Sequence, residues 1–262
     1  MTTAQEAPGR AIDGPNVQTD QDAGNVKKKT FSVCLCSAFR DAVPYLDRYL
    51  EQTTELYRTL DARGHNLHCV WGEGDSTDET AERLAWAAAY ARWPITVVDC
   101  THGGPAFGSI ESAQRFRQLA HVGRCIWAAI PADSDAVVYV ESDLIWDAAT
   151  LLALLDRLID YPAICPMVFL RRAGWHENSF YDTFAAVGLN GRHFTHHPPY
   201  HAEYVPDRPF PVASMGSCMA LRGAIARRII FDDSTIFPDI CRQIAAGGDG
   251  VYIDPGLCIY HP

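Results

Sequence analysis

The stretch AVVYVESDLIW, residues 136–146, decides how this chain is read. Ala136, Val137, Val138, Tyr139 and Val140 form an unbroken apolar run of strand length, which predicts a buried β-strand. No turn residue follows. Glu141, Ser142 and Asp143 come at once, and Leu144, Ile145 and Trp146 resume the apolar pattern. In open α/β sheets, ligands bind beyond the carboxyl ends of the parallel strands. The two carboxylates stand at such an end. Held one residue apart on a rigid strand, they can offer oxygens to Mg²⁺ or Mn²⁺, which take the rest of their shell from water and substrate phosphates. The structural alternative is a pair of helix N-terminal acids, because a helix follows and its dipole favours negative charge.

The pattern around this strand fixes the fold class. FSVCLCSAF (31–39) is a strand, and a helix follows it, with Asp41 as its cap, Pro44 in its first turn and Gly64 at its close. HNLHCVW (65–71) is the next strand. GEGDSTDET (72–80) is a polar turn in which Ser76 or Thr77 can cap the helix that follows. ITVVDC (95–100) is a strand, THGGPAFGS (101–109) a glycine-rich loop, and a helix runs through ESAQRFRQLAHVGRCIWAAI. After the strand at 136–140 come a helix, DAATLLALLDRLIDY, and a strand, AICPMVFL (163–170). Strands alternating with helices imply right-handed βαβ units, hence an α/β fold with a mostly parallel sheet flanked by helices. The alternation weakens between Arg171 and Pro211, then resumes with VASMGSCMALRG, the helix IFPDICRQIAAGG and the strand VYIDPGLCIYHP. There is no internal repeat.

Composition bounds the function. The 262 residues are 48% hydrophobic, enough for one large domain. Residues 1–29 carry almost no large apolar side chains and are expected to be a disordered leader. They have no apolar segment of the kind that marks a secretory signal. No window is long and apolar enough to span a bilayer, so a soluble, cytoplasmic protein is expected. The formal net charge of −10 and the absence of a basic stripe argue against a phosphate-tracking nucleic-acid surface. The nine cysteines are scattered without a CxxC pair or zinc-like spacing, and read as buried, reduced thiols.

The order of three segments carries a resemblance. CSAF at the end of the first strand, then GEGDSTDET, then VVYVESDLIW resembles the nucleotide-diphospho-sugar transferases of the GT-A fold. These have an acidic turn of DDGSTD type followed later by an acid-x-acid triplet. In the second half, FYDTFA (180–185), ASMGSCMALR (213–222) and FPDICRQIAAGGDGVYIDPGLCIYHP resemble the fungal capsule-associated mannosyltransferases. The resemblance covers most of residues 31–262. It implies a single GT-A domain from residue 30 to 262, with a nucleotide-binding half (30–146) and an acceptor-binding half (147–262).

The same resemblance implies roles. Asp143 is the expected direct metal ligand, and Glu141 binds the ribose, or the metal through water. His261 would close the metal site, since a neutral imidazole suits Mn²⁺ in a mixed shell. Glu73 and Asp75, which bracket Gly74, are candidates for the base or ribose. Arg117 is expected to pair with phosphate oxygens; Arg115, two positions away, lies on another face of the same helix. Asp239 is the expected proton acceptor, with helix capping as its structural rival. Asp182 is a second acid, read as a sugar or acceptor contact. Gly216 and Ser217 would let backbone approach the donor sugar. The stretch 171–211, with Trp175, His176, Tyr181 and a cluster of histidines, is expected to form an aromatic lid over the acceptor.

These expectations amount to a metal-dependent glycosyltransferase. It would use Mn²⁺ or Mg²⁺ and a nucleoside-diphosphate sugar and act on a hydroxyl acceptor. Glycan, glycolipid, protein and modified nucleobase stay open as acceptors, with the acidic charge weighing against nucleic acid. The rivals are a sugar nucleotidyltransferase, against which the CSAFRDAVPY loop speaks, and a non-catalytic sugar-binding domain, against which Glu141, Asp143 and His261 speak.

Overall fold

Two adjacent strands set the frame. β1 (Ser32–Phe39) and β2 (Asn66–Glu73) pair in parallel from Ser32 opposite Asn66 to Phe39 opposite Glu73. Between them α1 (Val43–Ala62) crosses over. Its Leu46, Tyr49, Thr53, Leu56 and Leu60 recur every three or four residues and bury one face. Gly64, at φ +75°, lets the chain leave this helix in the left-handed conformation. The computed structural model describes Met1 and residues 30–108, 110–171 and 178–262. The expected leader beyond Met1 lies outside them, as do Trp175 and His176 of the expected lid.

α2 (Thr80–Tyr90) leads to β3 (Ile95–Asp99), which pairs in parallel with β2. α3 (Ala113–Ala128) leads to β4 (Ala136–Val140), which pairs in parallel with the other side of β1. β4 is buried along Ala136, Val137, Val138 and Val140, as its apolar run requires. α4 (Ala148–Arg157) begins at Asp147, whose Oδ1 accepts from the Thr150 N–H at 2.7 Å. β5 (Ala163–Leu170) follows, then β6 (Phe210–Val212), β7 (Cys218–Arg222), the short α5 (Gly223–Ala226), α6 (Phe237–Ala246) and β8 (Val251–His261).

All eight strands join one sheet in the order β3-β2-β1-β4-β7-β5-β8-β6. β7 wedges between β4 and β5, antiparallel to both, and β6 runs antiparallel to β8 on the far edge. β5 and β8 are parallel. The sheet is therefore mostly parallel and flanked by helices within a single domain. The carboxyl ends of β1, β2, β3 and β4 share one edge, and β8 carries His261 towards it.

The ends of β1 and β2 are tied in an unexpected way. Asp41 does not cap α1. It sits at φ +48°, and its Oδ1 accepts from Thr77 N at 2.6 Å and Thr77 Oγ1 at 3.1 Å. The caps come from the polar turn instead. Ser76 Oγ accepts from Asp41 N at 3.0 Å, Thr80 Oγ1 from Ala42 N at 2.7 Å, and Asp78 Oδ2 from Val43 N at 3.2 Å. Parallel pairing of β1 with β2 puts their exits side by side, so the first N–H groups of α1 meet this turn. α2, whose expected cap was Ser76 or Thr77, starts at Glu79 with no side-chain cap.

Beneath this edge Phe39, Tyr49 and Trp71 meet edge to face, with Trp146 against Tyr49. The Ser37 hydroxyl, buried, donates to Val140 O at 2.7 Å and lies 2.7 Å from Tyr49 Oη. The aromatics expected to form a lid are mostly core. Phe180, Phe194, Tyr200 and Phe210 pack together against Phe169 of β5. Phe180 is fully buried and Phe194 nearly so. The sheet edge at β5, β8 and β6 needed an apolar cover, and this segment supplies it. Among the described residues of the stretch, 181–185 reach the site described next.

Candidate functional site

The triplet after β4 is held by its backbone. Leu144 N donates to Glu141 O at 3.2 Å, closing a tight turn. Ser142 Oγ donates to Ala38 O at 2.6 Å, and Arg48 Nη2 to Asp143 O at 2.5 Å. The Asp143 side chain is left for other partners, and its Oδ2 lies 3.2 Å from His261 Nε2. A backbone bridge sets this meeting: Ile145 N donates to Tyr260 O at 2.7 Å and Tyr260 N to Ile145 O at 2.9 Å. The pairing of β8 with β5 shifts register between Pro166 and Met167, and this places His261 opposite Leu170. The Tyr181 ring stacks on His261, with centroids 4.0 Å apart and planes 17° apart.

Asp143 and His261 sit on the wall of a cavity of about 460 Å³ at the carboxyl ends of β1, β2 and β4. Gly72 and Gly74 lie in it. A Cβ on Gly74 would stand 2.5 Å from the Cys100 carbonyl carbon, so only glycine fits between these strand ends. Arg40, directly after β1, also lines this cavity. Its Nη2 donates to Gly104 O at 3.0 Å, while its buried Nε has no partner among the described residues. One carboxylate oxygen and one imidazole nitrogen form a mixed donor pair suited to Mn²⁺. Among the described residues no three His, Cys, Asp or Glu side chains converge on a metal position. The pair therefore fits a cation whose shell is completed by a phosphate-bearing ligand and water, and does not fit a closed structural site.

A second cavity, of about 340 Å³, adjoins the first. Arg115, Leu119, Glu141 and Tyr181 line both. Glu141 is thus the carboxyl group of the dividing wall. Burial, reinforced by the charges of Asp143 and Asp182 and opposed by Ser217 and Arg115, pushes it up to about 8. Asp182 belongs to the second cavity alone. Burial raises it too, against the hydrogen bonds it accepts. These come from Ala185 N to Oδ1 at 3.1 Å and from Ser217 Oγ to Oδ2 at 3.0 Å. Ser217 stands at φ +60°, and its carbonyl accepts from Glu141 N at 2.8 Å. A Cβ on Gly216 would lie 2.8 Å from Asp182 Oδ2 and 2.9 Å from Ala185 Cβ. Glycine there lets the 182–185 turn close onto the wall, and Gly216 and Ser217 both line the second cavity.

Other expected residues lie elsewhere. Arg117 is exposed on α3 and lines neither cavity, whereas Arg115 lines both. Ser112 caps α3 through Arg115 N at 3.1 Å, and this sets which face of the helix turns inward. Glu73 and Asp75 are not among the lining residues. Glu73 Oε1 is 3.4 Å from Ser76 N. Asp75, at φ +60°, accepts from His102 N at 3.1 Å and Gly103 N at 3.0 Å. Burial pushes Asp75 up, but those N–H groups and the nearby His102 and Arg40 hold it below the usual carboxylate range. Asp239 sits in the first turn of α6, not before it. Its Oδ2 accepts from Ile236 N at 3.1 Å and its Oδ1 from Arg242 Nη2. It caps the helix, while Ile236, Phe237 and Pro238 line the second cavity. Arg40 was not anticipated; its signal was an arginine immediately after a buried strand that ends at the ligand edge.

A solved structure shares this architecture. Residues 1–349 of S. aureus TarS superpose with a TM-score of 0.52 at 12% identity, covering 88% of this chain and 60% of that one. The fold is GT-A. The same TarS segment in complex with UDP-GlcNAc gives a TM-score of 0.48 at 13% identity, over 88% of this chain and 58% of that one. The 4-diphosphocytidyl-2C-methyl-D-erythritol synthase of Anaerococcus prevotii gives 0.42 at 10% identity, over 89% and 90%. Such identities speak to the fold alone, and the chain spans under two thirds of the TarS segment. No family model and no curated protein matches the sequence.

Proposed function

We propose that this chain is a metal-dependent glycosyltransferase that moves a sugar from a nucleoside-diphosphate sugar to a hydroxyl acceptor. The observation that carries the reading is the 3.2 Å approach of Asp143 Oδ2 and His261 Nε2 on the wall of a cavity that shares lining residues with a second one. The first cavity takes the nucleoside diphosphate, and Asp143 and His261 hold the cation. The binding of UDP-GlcNAc by TarS, of like fold, makes a nucleotide-sugar the natural occupant. A divalent cation there neutralises charge on the diphosphate leaving group.

The chain's own groups supply the rest. Arg40 Nε is an unmet donor for a nucleotide oxygen in the first cavity. Arg115, on the wall common to both cavities, pairs with phosphate oxygens. An acceptor hydroxyl in the second cavity forms its new bond to the sugar's anomeric carbon as the bond from that carbon to the diphosphate oxygen breaks. The bonding pair leaves with the nucleoside diphosphate. The hydroxyl proton passes to the carboxyl pair Glu141 and Asp182; burial raises both above the ordinary carboxylate range, and at Glu141 the charges of Asp143 and Asp182 add to it. Release of nucleoside diphosphate from a panel of UDP-, GDP- and TDP-sugars with Mn²⁺ tests this. Pyrophosphate release would favour a nucleotidyltransferase, and no turnover with any donor would favour a sugar-binding domain.

A further inference from the structure

The second cavity has a composition that narrows the acceptor. Phe116 and Phe184 stack with centroids 5.6 Å apart and planes 26° apart, and both line it, as do Tyr181 and Phe237. Phe184 is 37% exposed and Leu119 45% exposed, although both face a cavity. Apolar rings left open to solvent at a cavity mouth mark a ligand surface. The charged groups among the described lining residues are Glu111, Glu141, Asp182 and Arg115.

Resting on the transferase reading, we propose that the acceptor is a saccharide without carboxylate or phosphate groups, whose ring lies against the Phe116–Phe184 pair and whose hydroxyls face Glu141 and Asp182. A sugar ring has an apolar C–H face that fits an aromatic wall and a rim of hydroxyls that fits carboxyl groups. Three carboxyl groups against one guanidinium repel an acceptor carrying carboxylate or phosphate. The volume of about 340 Å³ falls at the small end of ligand sites, which run from about 300 to 1,000 Å³. It suits one or two sugar rings and not a folded polymer.

The test uses the full chain with Mn²⁺ and the donor found active in the nucleoside-diphosphate release panel. Acceptors are maltose, lactose, cellobiose and mannobiose, matched with glucuronate-bearing and phosphorylated disaccharides. The neutral set is expected to accept sugar in preference to every charged set. Phe184→Ala is expected to raise the KM for the neutral acceptor by about three- to tenfold, with nucleoside-diphosphate affinity unchanged. Phe184→Leu, which keeps an apolar side chain and loses the ring, should do the same if the alanine variant is unstable. Preference for a charged set, or an unchanged acceptor KM in both variants, overturns the inference while the transferase reading stands. A wild-type protein that binds no nucleoside diphosphate and releases none overturns the reading itself, and the inference with it.

Discussion

Asp143 Oδ2 and His261 Nε2 lie 3.2 Å apart, one just after β4 and the other at the end of β8. Neither strand pairs with the other; β7 and β5 lie between them. The meeting depends on the Ile145–Tyr260 bridge and on the stack of Tyr181 on the imidazole. Chemistry at this site is therefore expected to respond to side chains, while the backbone around it stays fixed by Arg48 and Ser142.

Asp143→Asn should reduce transfer by at least about a hundredfold, since a group that neutralises transition-state charge is worth several kcal/mol. The melting temperature should stay within about 2 °C, because no backbone bond of the triplet uses the carboxylate. Steady-state kinetics with Mn²⁺ and a thermal melt check both. Near-normal turnover would remove Asp143 from the reaction.

His261→Ala should raise the Mn²⁺ concentration needed for half-maximal activity, with the maximal rate less affected. One of two protein donors is lost, and the phosphate-bearing ligand still helps hold the cation. Metal titration of both proteins checks this. Superimposable curves would make the imidazole a bystander.

Asp239→Ala and Asp182→Asn should separate stability from catalysis. Asp239 caps α6, so its loss should cost about 1 kcal/mol in urea unfolding and leave turnover nearly intact. Asp182→Asn should lower turnover strongly. The reverse pattern would return the proton-accepting role to Asp239.

Much of this arrangement was legible in the sequence. The apolar run 136–140 with its abrupt acids predicted a buried strand, and its end lines a cavity, because strand length and burial are local properties. What the sequence hid was set by distant pairing. The insertion of β7 between β4 and β5 leaves no mark in either strand, since both are apolar whichever neighbour they have. Arg115 and Arg117 are chemically alike, and only the phase of α3 decides which faces the cavity. Asp239 reads equally as a proton acceptor or a helix cap; its Oδ2 accepts from Ile236 N in the first turn of α6, a contact set by the fold of the turn. Of the described aromatics expected in a lid, Phe180, Phe194 and Tyr200 are core, because aromatics that bind sugars and aromatics that cover a sheet edge are the same residues.

In the metal-free protein, Glu141 should make stability depend on pH. Its folded value of about 8 lies above the ordinary carboxylate value of 4.5. Between these the folded chain keeps a proton that the unfolded chain has released, so stability falls as pH rises through this window and levels off above it. Asp182, raised by the same burial, adds in the same direction. Glu141→Gln should flatten the fall and be more stable than the parent at pH 9 by at least about 1 kcal/mol. Urea unfolding with EDTA at pH 5 and pH 9 measures it. A parent protein more stable at pH 9 than at pH 5 would contradict the burial of that charge.

The most direct measurement is calorimetric binding of UDP, GDP and TDP to the full chain, with Mn²⁺ and with EDTA, repeated on Asp143→Asn. At least one nucleoside diphosphate should bind the parent about tenfold or more tightly with Mn²⁺ than with EDTA, a gain of about 1.4 kcal/mol. Asp143→Asn should lose most of that difference. Binding that ignores both the metal and the substitution, or no binding of any of the three, would contradict the account.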